Sequence, residues 1–132
     1  MNRIKHCIKL SALLLICCSL ICCRKVITST TAIYGIVIDM HTHEPVKGAR
    51  IEVGYLEDYW NETVYYAINS HGRALSSSVS GSDGQFDISF GEVPENEGFY
   101  VKIICEGYAD YYDLIGVSVG SNLRMDFIIN PQ

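Results

Sequence analysis

Cysteine is nearly absent from the part of this sequence that can fold. Five of the six cysteines lie within the first 23 residues, and Cys105 is the only one that follows them. A lone cysteine has no partner for an intrachain disulfide, so the sequence excludes a disulfide framework. The fold must therefore be stabilised by packing alone.

Positive charge is also scarce beyond residue 23. The chain has ten Lys and Arg residues and fifteen Asp and Glu residues, and three of the basic residues but none of the acidic ones precede that point. The remainder carries seven basic against fifteen acidic residues, a net charge of −8. Such an acidic domain repels phosphate groups, which argues against nucleic-acid binding. About 109 residues remain, enough for one domain with one core.

The N-terminus has the layout of a secretory signal. Three basic residues precede an apolar run from residue 10 to residue 21, and polar sequence begins after Cys23. The run is shorter than the roughly 20 apolar residues of a membrane-spanning helix, which favours a signal that is removed. A retained N-terminal anchor is the alternative, because Arg24 and Lys25 place basic charge on the far side of the run as well.

The apolar run contains the sequence Leu-Ile-Cys-Cys twice, at Leu15–Cys18 and at Leu20–Cys23. Each copy resembles a bacterial lipobox, in which a leucine and two small or aliphatic residues precede the cysteine that receives lipid. In both copies a cysteine stands where that pattern prefers glycine, alanine or serine. We predict lipidation at Cys23, with Cys18 as the alternative, because the longer apolar run suits a signal.

These features predict three parts: a signal peptide over residues 1–23, a tether over 24–31 and a folded domain over 32–132. The expected location is the bacterial cell envelope, where the lipid would anchor the domain to a membrane, by preference the outer one. Which face of that membrane the domain occupies stays open.

Short strand-like segments separated by turns fill the rest of the sequence. No stretch after residue 25 shows a sustained 3.6-residue apolar period, whereas apolar and polar residues alternate in several short runs. Asp83 and Gly84 form a strong hairpin-turn signal. The pattern predicts an all-β fold, a two-sheet antiparallel β-sandwich of about seven strands. The predicted strands are Ala32–Asp39, Ala49–Leu56, one within Arg73–Ser80, Gln85–Phe90, Phe99–Glu106, one or two within Tyr108–Val119, and Leu123–Ile129.

Four motifs in series resemble those of carboxypeptidase regulatory-like domains. They are Gly35–Asp39, Thr42–Val53, Ser82–Ile88 and Phe99–Tyr108. The resemblance implies a transthyretin-like sandwich, an accessory domain rather than a catalytic unit, here as a stand-alone copy. His43 departs from the family, where glycine is common, and the segment Glu57–Gly72 replaces a link that is shorter in many members.

A search for catalytic or metal-binding residues yields no site. His41, His43 and Glu44 have side chains that could bind a metal, but a solvated polar turn accounts for them and we predict no metal or cofactor. The serines of Ser76–Ser82 lie in no nucleophile elbow, and Cys105 occupies an inward strand position where a thiol is usually inert. We therefore expect no catalytic residues and no enzyme activity.

The segment Glu57–Gly72 is predicted to be an elaborated loop or an additional hairpin, and it is unusually aromatic. Aromatic side chains on a loop can stack on sugar rings or anchor a protein partner. The expected function is a non-catalytic envelope lipoprotein that acts as a structural or protein-interaction module, and the alternative is a carbohydrate-binding lipoprotein. The expected partners are a membrane, through the N-terminal lipid, and an envelope protein or glycan. The candidate binding residues are Tyr55, Tyr59, Trp60, Tyr65 and Tyr66.

Overall fold

A computed structural model describes residues 26–27, 29–57, 63–94 and 98–132 of the chain. The export segment, both candidate lipidation sites Cys18 and Cys23, and the aromatic residues Tyr59 and Trp60 lie outside the described residues. The elements in chain order are β1 Val26–Ile27, β2 Thr31–Asp39, β3 Arg50–Leu56, α1 Val64–His71, β4 Gly72–Val79, β5 Gln85–Phe90, β6 Val93–Pro94, β7 Gly98–Ile104, β8 Tyr111–Ile115, β9 Asn122–Arg124 and β10 Phe127–Ile129.

Two sheets form a sandwich, which confirms the all-β prediction. In the first, the β2 sheet, β2 lies between β5 on one side and both β9 and β10 on the other. In the second, the β3 sheet, the strand order is β4-β3-β7-β8 and every pairing is antiparallel. β9 and β10 instead pair with β2 in parallel, which departs from the predicted antiparallel sandwich. The last predicted strand is accordingly split in two.

The core lies between the sheets and follows from period-two alternation along the strands. Inward residues of β2, β3, β5 and β7 are buried while their neighbours in sequence face outward. Rings from several strands meet in this layer, and Phe90 stacks on Phe99 with centroids 6.2 Å apart. The inward residues with the largest fully buried side chains are Ile33, Val37, Ile51, Val53, Ile88, Val101, Ile103 and Ile129. Cys105 packs against this core, and burial raises the pKa of its thiol.

The prediction of a loop or hairpin for Glu57–Gly72 is wrong for the part that the structure describes, because Val64–His71 is an α-helix. The helix is only eight residues long, so its apolar positions do not repeat often enough to reveal a period in sequence. Ala67 and Ile68 are buried and pack with Leu56 and Tyr100 in a second small core on the outer side of the β3 sheet. Tertiary packing therefore stabilises this short helix.

The turn after β2 has the structure that its residues suggest. One oxygen of Asp39 accepts hydrogen bonds from the backbone N–H groups of His41 and Thr42 at 2.7 and 2.9 Å. The other accepts one from the hydroxyl of Tyr108 at 2.8 Å. The bond from the Thr42 backbone and that from Tyr108 hold the pKa of the Asp39 carboxyl below its usual value. His43, the residue that stands where glycine is common, has a φ of 59°.

Part of the predicted tether makes backbone contacts with the domain. Val26–Ile27 pairs with Val93–Pro94 as a two-residue antiparallel ladder beside the sandwich. Within the described residues, the structure contains no helix that is long and apolar enough to cross a membrane.

Candidate aromatic binding site

The outer face of the β3 sheet is divided between a covered end and an open end. Helix α1 covers the end near Gly54, where the ring of Tyr100 also lies. A Cβ atom at Gly54 would come within 2.5 Å of the Tyr100 ring and 2.3 Å of the backbone oxygen of Arg73, so only glycine fits. The open end continues across β7 and β8, where Lys102 lies opposite Tyr112 in register.

Three tyrosines meet at the boundary between these two ends. Tyr65 and Tyr66 lie on the exposed side of α1, where they are 51% and 62% exposed. The Tyr65 ring contacts the Tyr112 ring edge to face at a centroid distance of 5.0 Å, and the Tyr66 ring at 5.3 Å. Edge-to-face pairs at these distances are favourable and hold the rings in fixed relative orientations. Burial is the largest cause of a raised pKa at the Tyr112 hydroxyl, which is therefore protonated at neutral pH.

Positive charge lies directly beside the rings. The ammonium of Lys102 is 5.7 Å from the centroid of the Tyr112 ring, within cation–π range. Beyond it, Arg50, Glu52, Lys102 and Ile104 line a hollow of about 180 Å³. Arg50 forms no ion pair with any residue that the structure describes.

Glu52 does not neutralise this hollow through an ion pair with a described residue. Its carboxylate instead accepts a hydrogen bond from the Tyr100 hydroxyl at 3.0 Å. Tyr100 is almost fully buried, and burial together with the Glu52 charge raises the pKa of its hydroxyl, so that the phenol remains a donor. We call the surface formed by Tyr65, Tyr66, Tyr112, Lys102 and Arg50 the tyrosine face.

Of the five aromatic residues singled out in sequence, the three that the structure describes do not share one surface. Tyr55 lies on the inward side of β3 and packs against the main core, while Tyr65 and Tyr66 contribute to the tyrosine face. Tyr59 and Trp60 lie outside the described residues. Tyr112, Lys102 and Arg50 carry no signal of this site in the sequence, because their proximity depends on the pairing of three strands and no local motif encodes strand register.

The turn that contains His41 and His43 forms no metal site with other described residues. In the part of the chain that the structure describes, no group of three or more His, Cys, Asp or Glu side chains could hold a metal ion. The turn that contains His41 and His43 is organised by the Asp39 carboxylate, which accepts its backbone N–H groups.

The chain matches no protein-family model, and no curated protein matches its sequence. Its fold does resemble solved structures. Hydroxyquinol 1,2-dioxygenase from Pseudomonas putida DLL-E4 aligns over 80% of this chain and 57% of its own, with a TM-score of 0.52 and 14% identity. 3-Chlorocatechol 1,2-dioxygenase from Rhodococcus opacus 1CP aligns over 80% of this chain and 60% of its own, with a TM-score of 0.51 and 10% identity.

A third match covers more of the other protein. It is the dioxygenase domain of a dioxygenase carbohydrate-binding protein fusion from Streptomyces sp. SirexAA-E, aligned over 80% of this chain and 82% of that one. Its TM-score is 0.52 and its identity 13%. The chain spans about three fifths of the length of the first two structures.

These matches correct the function expected from sequence. The prediction of a non-catalytic envelope module, and with it the prediction of no enzyme activity, is contradicted, because the three solved structures named above are dioxygenases. The carbohydrate-binding alternative belonged to the same expectation and is set aside with it. Since one fold hosts many chemistries and the identities are low, the likeness establishes the sandwich, and the activity has to be argued from the site. The chain shares its fold with catechol- and hydroxyquinol-type dioxygenases.

Proposed function

We propose that this chain is an exported, membrane-tethered domain that recognises a small hydroxylated aromatic compound at the tyrosine face. The observation that carries the proposal is the convergence of the Tyr65, Tyr66 and Tyr112 rings beside the ammonium of Lys102. Recognition of the compound is a step that an enzyme and a binding protein share.

The tyrosine rings suit a flat aromatic ligand. Rings in edge-to-face contact present both faces and edges, so an added ring can stack on one tyrosine and contact the edge of another. Their mutual packing also limits the rotamer entropy lost on binding. A saturated ring of the same size would lose the stacking geometry and would bind more weakly.

The cationic hollow suits the oxygen atoms of such a ligand. Lys102 and Arg50 are donors without acceptor capacity, so they match phenolic oxygens and, more strongly, a carboxylate on the same ring. Glu52 is engaged by Tyr100 and does not form an ion pair with either cation among the described residues. The solved structures with this fold include enzymes named for catechol, which points to the same chemical class of ligand.

The first experiment compares three probes by calorimetric titration of the purified chain. These are catechol, 3,4-dihydroxybenzoate and cyclohexane-1,2-diol, which lacks the aromatic ring. We expect 3,4-dihydroxybenzoate to bind more tightly than catechol, and cyclohexane-1,2-diol to bind most weakly. Equal binding of all three, or no binding of the two aromatic probes, would contradict the proposal.

Variants then locate the binding site. Tyr112→Ala should weaken binding of both aromatic probes by about tenfold or more, the effect of losing a central contact. Lys102→Met, which keeps the side-chain length, should weaken the binding of 3,4-dihydroxybenzoate more than the binding of catechol. The matched control is Tyr34→Ala, since Tyr34 is a half-exposed tyrosine on the outer face of the other sheet. Binding that tolerates Tyr112→Ala but not Tyr34→Ala would move the site to that sheet.

A separate experiment tests the export proposal, which rests on the sequence and on the resemblance to carboxypeptidase regulatory-like domains. Mass spectrometry of the protein isolated from bacterial membranes should find an N-terminal lipid-modified cysteine at Cys23. An intact Met1, or an unmodified terminus downstream of Cys23, would refute it. Ligand binding does not depend on this outcome.

A further inference from the structure

The outer face of the β2 sheet is apolar along its central strand, although no described element covers it. Tyr34, Ile36 and Ile38 alternate along β2 with inward residues, and Ile128 of β10 lies beside Ile38 in register. Ile128 is 56% exposed, Tyr34 and Met40 are also exposed, and Ile36 and Ile38 between them are half-buried. Large apolar side chains in one contiguous stripe on a small domain are typical of an interaction surface. We call these five residues the β2 stripe.

Opposite charges flank the stripe at the level of Tyr34. Asp87 on β5 lies beside Tyr34 on one side, and Arg124 on β9 lies beside it on the other. Asp87 makes no hydrogen bond or ion pair with any described residue. Among the described residues Arg124 pairs only with Asp126, at 3.2 Å in a largely exposed contact that costs little to exchange. These residues and neighbours from β4 line an open groove of about 670 Å³.

This arrangement is complementary to itself under one symmetry operation. A two-fold axis that runs parallel to β2, in the plane of contact, exchanges the β5 side of one copy with the β9 side of the other. Arg124 of each copy then lies over Asp87 of the other, while the β2 stripes meet along the axis. The perpendicular in-plane axis through Tyr34 would instead bring Arg124 over Arg124, which is repulsive. Isologous contacts of this kind are the commonest route to dimers.

We propose that this chain forms a two-fold symmetric homodimer through the β2 stripe, with two Arg124–Asp87 ion pairs between the copies. The two β2 sheets pack face to face at the usual spacing of about 10 Å, with their strands aligned. The tyrosine face lies on the opposite outer face of the sandwich and remains accessible in both copies.

A charge exchange tests the dimer and its axis together. The readout is the mass of the full chain in detergent, measured by sedimentation velocity with the detergent contribution subtracted. Arg124→Asp and Asp87→Arg should each raise the dimer dissociation constant on the order of tenfold or more. The double variant restores opposite charges across the interface and should recover most of the lost affinity. Single variants that dimerise as well as the wild type, or a double variant that is no better than the singles, would overturn the proposed arrangement.

Two further variants keep the result unambiguous. Ile128→Glu places charge in the stripe without altering the ion pairs and should give monomers that fold, as judged by an unchanged far-ultraviolet circular dichroism spectrum. Lys102→Asp changes charge on the tyrosine face and should leave the mass unchanged. A wild type that is monomeric at every accessible concentration would overturn the proposal and leave the stripe to an occupant other than a second copy.

Discussion

The two outer faces of this sandwich differ in what covers them. On the β3 sheet, outward residues such as Leu56 and Tyr100 are buried because α1 packs over them. On the β2 sheet, the outward residues Ile128 and Met40 remain exposed within the described part of the molecule. The same strand alternation therefore produces a second core on one face and an apolar surface on the other. The difference shows that a short helix packed on one face decides whether an outward apolar residue stabilises the monomer or is left for a partner.

The largest expected effect on stability comes from replacing two glycines, one in each sheet, that lie close to the backbone of a neighbouring segment. A Cβ atom at Gly35 in β2 would lie 1.9 Å from the backbone oxygen of Met125, and one at Gly54 in β3 would lie 2.3 Å from that of Arg73. We expect Gly35→Ala and Gly54→Ala each to lower the free energy of unfolding by about 3 kcal/mol or more, because backbone atoms must move. Chemical denaturation measures this.

The control for these two substitutions is Gly91→Ala. Nothing among the described residues lies within 4 Å of a Cβ atom at that position, so this variant should be close to neutral. Equal losses at all three positions would show that the effect is a general one of glycine replacement, without a role for the close approaches.

A second comparison sets a covered outer residue against an uncovered one. Ile68 on α1 is 4% exposed, whereas Ile128 on β10 is 56% exposed. Ile68→Ala should destabilise the domain by about 2–4 kcal/mol and reduce the helical circular dichroism signal. Ile128→Ala should change the stability of the monomer by less than about 0.5 kcal/mol. Similar losses for both variants in dilute, monomeric protein would remove the distinction between the two faces.

A smaller change, here a gain in stability, is expected at the turn that ends β2. His43 has a φ of 59°, a left-handed conformation that costs a residue with a Cβ atom roughly 1 kcal/mol relative to glycine. His43→Gly should therefore raise the thermal midpoint by a few degrees. His43→Ala serves as the control, since it removes the imidazole while keeping the Cβ atom. A midpoint that rises equally in the alanine variant would assign the effect to the imidazole.

The smallest expected effect on stability comes from losing a hydrogen bond that joins the two sheets. Asp39 at the end of β2 accepts a bond from Tyr108, which lies between β7 and β8 of the other sheet. Because the Asp39 pKa is lowered by folding, its stabilising contribution is present above the unfolded pKa of about 3.9 and is lost as the pH falls through the lower folded value.

Tyr108→Phe removes this bond and should lower stability at neutral pH, with the difference from the wild type shrinking below pH 4 or so. Thermal melts of both proteins across the acid range provide the test. A difference that is the same at all pH values would mean that Tyr108 acts through ring packing and not through its hydroxyl.

The strands that alternate strongly could be predicted from sequence, and those that depend on distant pairing could not. The sequence predicts Gln85–Phe90 at its observed bounds, because three apolar residues alternate with three polar ones after an Asp-Gly turn. The last predicted strand is split in two, and between its halves the Asp126 carboxylate accepts the N–H of Ile36 in place of a backbone acceptor. A side chain that takes the place of a backbone acceptor leaves no periodic pattern in the sequence.

The candidate site was predicted in part for a similar reason. Aromatic content drew attention to Tyr65 and Tyr66, which the structure places at the surface. Tyr55, another of the candidate residues, follows the alternation of β3 and packs inward, as the strand periodicity indicates. Lys102 and Tyr112 are ten residues apart and belong to different strands, so only the register of β7 with β8 shows that they form a cation–π pair.

The most direct test of the proposed ligand site is an amide chemical-shift titration with 3,4-dihydroxybenzoate. The account predicts progressive, saturable shifts concentrated in α1, around Lys102 and around Tyr112, with little change along β2, β5 and β9. Lys102→Met should reduce these shifts at equal ligand concentration. Shifts confined to Tyr34, Asp87 and Arg124, or no saturable shifts at any described residue, would contradict the assignment of aromatic recognition to the tyrosine face.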